Sequence, residues 1–552
     1  MLFLYKGHIN DFRIEQLFTY SKPKVLGTYG LDFIYRRKFN SELLTIFITK
    51  AILDQQLFKT TADILHHSRQ TRILVIAVNI PHPEEFKQDF LRACENFKIT
   101  NALLLFVQQN EEELLQLNAL RPYPKYHWLS KTMANLKGAL YYPLHWQNMQ
   151  NASLLTYTSQ DPPGALLYYD KKGNLKINGY VARLILLFAE KFNASLEMYK
   201  PLELNGIFTH YALNTMTNAG QLDIPIALNP TTTEDDMVHH SAYYELTTGH
   251  TIIPCATHLT VREVFGLLLN EYFFGSILLS ALLLSILHSF IDYYIDGIVH
   301  RLNFVLNHKI LPGILGQSFI TRMTSWRCLK IVYLLVSFAG LNICTQFAAN
   351  MNTLLTSPPY HGQIKTIEDL RNSSVKILCP EDGMDRDYFL PLFGNSLVIS
   401  KNATMVYEHM IRFNNTYGYL TLSANWDLFV QRQRHYRHKK FCLVSDFSFI
   451  DFLPHCVTLP AHSPLKEPLD YLLYRINELG FRQAWKSSVF YDMVRLKNIS
   501  LFDENPPVDK RVLRVDDLFW IWMIVVVGLT ASSLVFLAEL LMSHCRPKND
   551  RV

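Results

Sequence analysis

Over most of its length the chain alternates apolar and polar residues at the period of single helices and strands; in three places the alternation stops. Tyr272–Ile291, Ile331–Met351 and Leu518–Ala538 run for 20, 21 and 21 residues without Asp, Glu, Lys or Arg. Each matches the roughly 20 residues that a helix needs to cross a hydrocarbon core about 30 Å thick. Between the first two lies Ile310–Ile320 (ILPGILGQSFI), apolar but only 11 residues long and broken by Pro312, Gly313 and Gly316. A segment this short does not span, and irregular backbone at membrane depth is tolerated only where it packs in protein or lines a cavity. The predicted order is a span at 272–291, a re-entrant loop at 305–320, a second span at 331–351, a polar segment at 360–510, a third span at 518–541 and a tail at 542–552. That is the arrangement of a pore.

The polar segments carry shorter periods. In residues 1–150, Ile73–Val78 and Leu103–Val107 read as buried strands, and Glu84–Phe97 sets Phe86, Phe90, Leu91 and Cys94 at helical spacing. Strand, helix, strand over about 35 residues predicts a βαβ unit with parallel strands. Neither strand is followed by a Gly-rich loop, so nucleotide binding has no support. In 151–260, Leu166–Asp170 leads through a turn at Lys171–Gly173 to a helix at Val181–Phe192, and Asp223–Leu228 reads as a strand closing on Pro230. In 360–510, elements are expected at Ile364–Leu370, Val375–Leu378, Met405–Phe413 and Tyr417–Thr421. Leu465–Leu479 reads as an amphipathic helix ended by Gly480. Two α/β segments on either side of a membrane insert predict one bilobed domain whose chain leaves for the membrane and returns.

Composition fits such a mixture. Hydrophobic residues make up 49% of the chain and the mean hydropathy is +0.05, too apolar for a typical soluble enzyme and too polar for a transporter that is mostly membrane. The net charge of +5 is spread along the chain and names no partner. Eight Cys lack C-x-x-C or Cys/His spacing, so neither a zinc site nor any other cofactor is expected. Cys442 and Cys456 are the candidate disulfide, although connectivity is not legible from sequence. Arg432–Lys440 (RQRHYRHKK) reads as a solvated loop between strands rather than a nucleic-acid patch, and His239–His240 lacks partners at metal-ligand spacing.

Topology follows from two independent signals. Sequons begin at Asn151, Asn193, Asn372, Asn402, Asn414 and Asn498, all before the first span or between the second and third. Glycosylation acceptors are useful only on the lumenal side, so both polar segments read as extracellular. The connection between the first two spans holds Arg301, Lys309, Arg322, Arg327 and Lys330 against Asp292 and Asp296, and the tail holds Arg546, Lys548 and Arg551. Both are basic and fall on the cytoplasmic side under the positive-inside rule. Translocating an N-terminal domain needs a signal sequence, and Met1–Tyr5 is too short for one; a start internal to the true reading frame is the favoured expectation.

The end of the second span, Gln346–Thr356 (QFAANMNTLLT), aligns without gaps to SYTANLAAFLT, the gate sequence of ionotropic glutamate receptors; Ala349, Asn350, Leu355 and Thr356 are identical and Phe347 replaces Tyr. Ile364–Leu370 (IKTIEDL) is similar to the opening of that family's second ligand-binding segment, and Pro460–Gly480 to its late helix. Val515–Leu541 is similar to its last span, with Gly528, Phe536 and Glu539 in the insect pattern. Over roughly 150–545 the chain therefore resembles the divergent insect branch called ionotropic receptors. The resemblance implies a periplasmic-binding-like ligand domain, a gate at Ala348, Ala349 and Asn350, and a pore-loop tip at Gly316 and Gln317. A neutral amide and exposed carbonyls at such a tip suit a partly dehydrated cation.

The ligand site departs from the family. Glutamate receptors clamp the ligand carboxylate with an Arg, whose fork matches it bidentately. No Arg occurs between Arg183 and Arg262, and the matching stretch Thr231–Asp236 offers Glu234 or Asp235 instead. The acid that holds the ligand ammonium falls at Leu422, and Asp385 closes the stretch matching the family's Ser/Thr-bearing loop. Glutamate and glycine lose their physical basis for binding. Carboxylates at 234–236 suit a cationic or polyhydroxyl ligand; a solvated acidic turn is the competing reading.

The expectation is a chemosensory subunit, of taste or odour type, of a ligand-gated cation channel. The resemblance implies a heterotetramer with co-receptor subunits, in the lipid of the plasma membrane of a sensory neuron dendrite, opened by a small molecule. A non-conducting tuning or trafficking subunit is the nearest alternative. A transporter would usually show paired repeats, and this chain has three spans and none. A tethered enzyme would need a motif such as G-x-S-x-G or H-E-x-x-H, and neither occurs.

Overall fold

The computed structural model describes residues 1–5, 24–27, 42–66, 68–107, 116–132, 140–204, 210–231, 240–297, 307–322, 326–381, 385–503 and 518–545. It is a mixed α/β protein with three helices long and apolar enough to cross a membrane.

The N-terminal segment forms one sheet of strands β1 (Leu2–Leu4), β2 (Val25–Gly27), β3 (Leu44–Lys50), β4 (Arg72–Val78), β5 (Ala102–Val107), β6 (Gln116–Arg121) and β7 (His127–Thr132), in the order β2-β1-β3-β4-β5-β6-β7. Pairings up to β5 are parallel and the last two antiparallel. The predicted βαβ unit is β4, the helix Pro83–Asn96 and β5. Phe86, Phe90 and Cys94 of that helix are buried against Ile73, Val75 and Leu104, as their helical spacing requires. This unit rests on the loop before residue 465: Gln70 and Lys98 donate to the carbonyls of His462 and Ala461 at 3.1 and 3.3 Å.

The rest of the polar chain builds two cores. Strand β8 (Ala152–Thr156) pairs in parallel with β11 (Ala194–Met198), and β9 (Leu166–Tyr169) with β10 (Leu175–Asn178) as a hairpin. The helix Tyr180–Lys191 buries Val181, Leu184, Ile185 and Phe188. Its core is completed from far along the chain, by Leu469, Leu472, Leu473 and Ile476 of the helix Lys466–Glu478 and by Val489 and Phe490 of Phe481–Arg495. Gly480, with φ of 72°, ends the former helix where the sequence placed its stop. Strands β12 (Asn229–Pro230), β13 (His240–Pro254), β14 (Ile377–Pro380), β15 (Leu397–Ser400), β16 (Gly418–Leu422) and β17 (Phe441–Thr458) form a sheet ordered β12-β17-β13-β16-β14-β15. Its β14–β16 end, with the helices Ala403–Ile411 and Ser423–Gln433, encloses the second core. The long antiparallel pair β13 and β17 takes part in both cores.

Two expectations fail here. Asp223–Leu228 is not a strand: Pro225 has no N–H to give, and pairing shrinks to one bridge between Thr158 and Ile226. Arg432 is not solvated. It is 5% exposed, donates to Ser500 O at 2.8 Å and to Ile411 O, and stacks 4.5 Å over the Phe413 ring. Removing it leaves buried carbonyls unpaired, so Arg432→Ala is expected to lower stability by about 3 kcal/mol. Thermal unfolding of the purified chain measures this; an unchanged midpoint would contradict the packing described.

The first apolar helix, Glu271–Asp296, is capped by Asn270, whose side chain accepts from Phe273 N at 2.9 Å, and stops at Gly297 in the left-handed region. The second is Arg327–Thr356 and the third Phe519–Cys545. A four-residue helix, Leu311–Ile314, packs between the first two.

Candidate functional site

A cavity of about 290 Å³ lies between the two cores. One wall comes from the first core and carries Ser159, Asp161, Tyr180, His210, Glu245, Thr247 and His455. The other carries Leu378–Pro380 of β14, Phe389, Val406, Tyr407 and Met410, Tyr419–Leu422 of β16, Asn425 and Phe449. Strands β13 and β17 pass beside it, and their register shifts repeatedly between Tyr243 and Ile252. Such irregularities re-aim side chains, and Glu245, Thr247, Phe449 and His455 reach the cavity from this stretch.

Backbone contacts hold Asp161 in place. Its loop docks on the first turn of the helix Tyr180–Lys191, where Tyr180 N and Val181 N donate to Pro163 O and Gly164 O at 3.2 and 2.9 Å. Gly179 permits the approach: its φ is +125°, and a Cβ there would collide with the Gly164 backbone. The Asp161 side chain opens on the cavity and has no hydrogen bond or ion pair among the described residues. Asp161 is exposed on the cleft; desolvation by the surrounding protein raises its carboxyl from the ordinary value, an effect that solvent access tempers and His210 partly offsets. Tyr407 faces the same space; desolvation first and the Asp161 charge second push its phenol up to about 12.

The second carboxylate is neutralised. Glu245, 5% exposed, pairs with Lys486 and accepts from Tyr180 Oη at 3.1 Å. The Lys486 ammonium also lies 5.3 Å from the centre of the Tyr180 ring. His455 Nδ1 sits 3.0 Å from Thr247 Oγ1 and 3.3 Å from Leu453 O, and burial lowers its pKa. The cavity lining contains no Lys or Arg among the described residues.

The segments that join this body to the apolar helices are tied together. Thr257 O accepts from His361 N at 3.0 Å, Leu259 N donates to Pro359 O at 2.9 Å, and the rings of His258 and Tyr360 stack at 4.0 Å. A disulfide between Cys255 and Cys442 anchors the first of them to β17. This corrects the Cys442–Cys456 expectation. Those two residues stand near opposite ends of one 18-residue strand, on the order of 40 Å apart at about 3.3 Å per residue. Cys456 is a buried thiol, 3.6 Å from Thr231 Oγ1.

The described residues between the first two apolar helices contact both of them. Lys309 Nζ is 3.7 Å from Asp292, and Arg322 N donates to Tyr333 Oη at 3.2 Å. The middle of this stretch contacts the middle of the second helix: a Cβ on Gly340 would strike the Gly313 carbonyl, and one on Gly316 would strike Cys344 Sγ. A buried polar group closes the base, with His288 Nδ1 3.1 Å from Asp292 and 3.2 Å from Asn307 Nδ2.

The sequence-predicted residues distribute unevenly. Leu422 lines the cavity. Asp385 does not; its carboxylate caps the helix Arg386–Phe393 by accepting from Asp387 N and Tyr388 N at 3.1 and 3.3 Å, and that helix brings Phe389 to the wall. Glu234 and Asp235 lie outside the described residues, as do His239 and the tail beyond 545. Gly316 and Gln317 form the turn after Leu311–Ile314, Gly316 with φ of 72° and Gln317 exposed. Ala348, Ala349 and Asn350 are exposed on the second helix. Asn151, Asn193, Asn372, Asn402 and Asn498 are exposed and Asn414 is half-buried; Asn402 caps its helix through Oδ1, which leaves Nδ2 free. Asp161, Glu245, Lys486 and Tyr407 were not singled out by sequence. They share no period or motif, and the only local cue is the Pro-Pro-Gly after Asp161. No family model and no curated protein sequence matches this chain.

Proposed function

We propose that the chain is a subunit of a ligand-gated cation channel of the ionotropic-receptor type, chemosensory and responsive to a small molecule other than glutamate. In this reading the two cores are the lobes of a periplasmic-binding-like clamshell, and β13 and β17 are its hinge. Ligand in the cavity draws the lobes together, provided it binds the closed form more tightly, since only differential affinity shifts an equilibrium.

The observation that carries the reading is the tie between the connectors at 255–260 and 357–361. Both apolar helices of the insert hang from one lobe through a single bonded pair, anchored by Cys255–Cys442. Movement of that lobe acts on both helices at once. The hairpin that enters near Asp292, reaches Gly340 at mid-helix and returns by Tyr333 supports a re-entrant pore loop. Among the described residues, none of Ile521–Leu541 in the third apolar helix is buried, and Ala348, Ala349 and Asn350 are likewise uncovered. Both faces suit packing against neighbouring subunits, for which a heterotetramer with co-receptor subunits at the plasma membrane is the proposal.

The decisive test is topological and precedes any ligand. Each sequon Asn is changed to Gln, and glycosidase-sensitive mobility is followed in insect cells. Glycan at Asn151 or Asn193 and also at Asn372, Asn402, Asn414 or Asn498 is expected, which puts both lobes outside. Glycan confined to one set would place the lobes on opposite faces, where no clamshell forms. Current recorded with co-receptor subunits then separates a conducting subunit from a tuning one.

A further inference from the structure

Resting on the clamshell reading, we infer that the ligand is a small organic ammonium with an apolar or aromatic body, held by Asp161. The charges around the cavity point to a cation. Of the two carboxylates in its lining, Glu245 already has Lys486, while Asp161 has no hydrogen bond or ion pair among the described residues. No Lys or Arg stands among the described lining residues to pair with a ligand carboxylate. Among the described lining residues, a cation entering this space meets one carboxylate without a hydrogen bond or ion pair, with His210 as its electrostatic neighbour.

The rest of the lining suits the body of such a molecule. Tyr407, Tyr419, Phe389 and Phe449 belong to the wall opposite Asp161, and Phe389 and Phe449 pack edge to face at 5.5 Å. Ring faces attract cations as well as apolar groups. Thr421 belongs to the same wall, 5% exposed, and its buried Oγ1 has no partner among the described residues. At about 290 Å³ the space stands at the lower limit of small-molecule pockets, which run from roughly 300 to 1,000 Å³.

The test uses the full chain, purified into lipid nanodiscs, and two probes of equal bulk and opposite charge: phenethylammonium and 3-phenylpropionate. Phenethylammonium is expected to bind and phenylpropionate not. Asp161→Asn is expected to weaken phenethylammonium at least tenfold, and Thr421→Val a few-fold. Asp161→Asn should itself fold well. A carboxyl whose folded pKa is raised contributes stability only at low pH and loses it as pH rises through the folded value, so at pH 7 the amide unfolds no earlier than the native chain. Binding of phenylpropionate alone, equal binding by the Asn variant, or binding of neither probe up to 10 mM, would overturn the proposal. These outcomes are distinct from failure of the channel reading. Current evoked by carboxylates keeps the channel and removes the ammonium, whereas Asp161-dependent amine binding in a chain that passes and modulates no current does the reverse.

Discussion

Gly340→Ala is expected to lower both expression and the unfolding temperature, although it adds a single methyl group. The added Cβ would fall far inside van der Waals contact of the Gly313 carbonyl oxygen and 3.1 Å from its carbon. Those are backbone atoms, which cannot rotate away as a side chain does. The short helix Leu311–Ile314 would have to withdraw, separating Ile310 and Ile314 from Val332 and Val336, all now nearly inaccessible. Ala in place of Gly favours a helix by about 1 kcal/mol, while forced core displacement costs about 1–3 kcal/mol or more; with backbone as the obstacle the second effect wins. Gly313→Ala offers the comparison. Its Cβ would meet Val336 and, at 2.6 Å, the Phe319 ring, side chains that can yield, so a milder loss is expected. Expression level and the thermal unfolding midpoint of the purified chain measure both variants. Equal behaviour of Gly340→Ala and the native chain would mean that the loop does not pack against the second helix as described.

Lys486→Met is expected to destabilise the chain by about 3–5 kcal/mol, the usual consequence of leaving a buried charge unpaired. Glu245 retains the Tyr180 hydroxyl at 3.1 Å, but one neutral donor does not replace an ammonium. Changing both members, Lys486→Met with Glu245→Gln, removes the charge along with its partner and should recover most of the loss. The double-mutant cycle is read from unfolding midpoints of the purified chain. A single variant within about 1 kcal/mol of native would show that Glu245 finds water or another cation. The pair also matters to the ligand proposal, because it leaves Asp161 as the one carboxylate without an ion pair among the described lining residues.

What could be read in advance follows the range of the forces involved. The helix Pro83–Asn96 and strands β4 and β5 were visible because a repeat of 3.6 or a short apolar run is written in adjacent residues. Gly480 was visible as a helix stop because the left-handed turn it makes is a local backbone property. Arg432 misled because a run of basic residues is ordinarily solvated; its burial depends on the Ser500 and Ile411 carbonyls, 68 and 21 residues away. The disulfide misled for the same reason. Cys255 and Cys442 are 187 residues apart in sequence, and only the antiparallel pairing of β13 with β17 brings them together.

The sequence by itself therefore determined where the chain is apolar enough to cross a membrane, which polar segments alternate helix and strand, and where sequons and positive charge partition. Each is a sum over neighbours, and the bilayer or the local backbone reads it without reference to the rest of the chain. Tertiary structure alone decided that residues 457–499 complete the core begun at 149–192, that the two connectors bind each other, and that Asp161 and Tyr407 face one cavity. Those relations depend on two long strands passing through both cores, and no local period encodes which distant residue a side chain will meet.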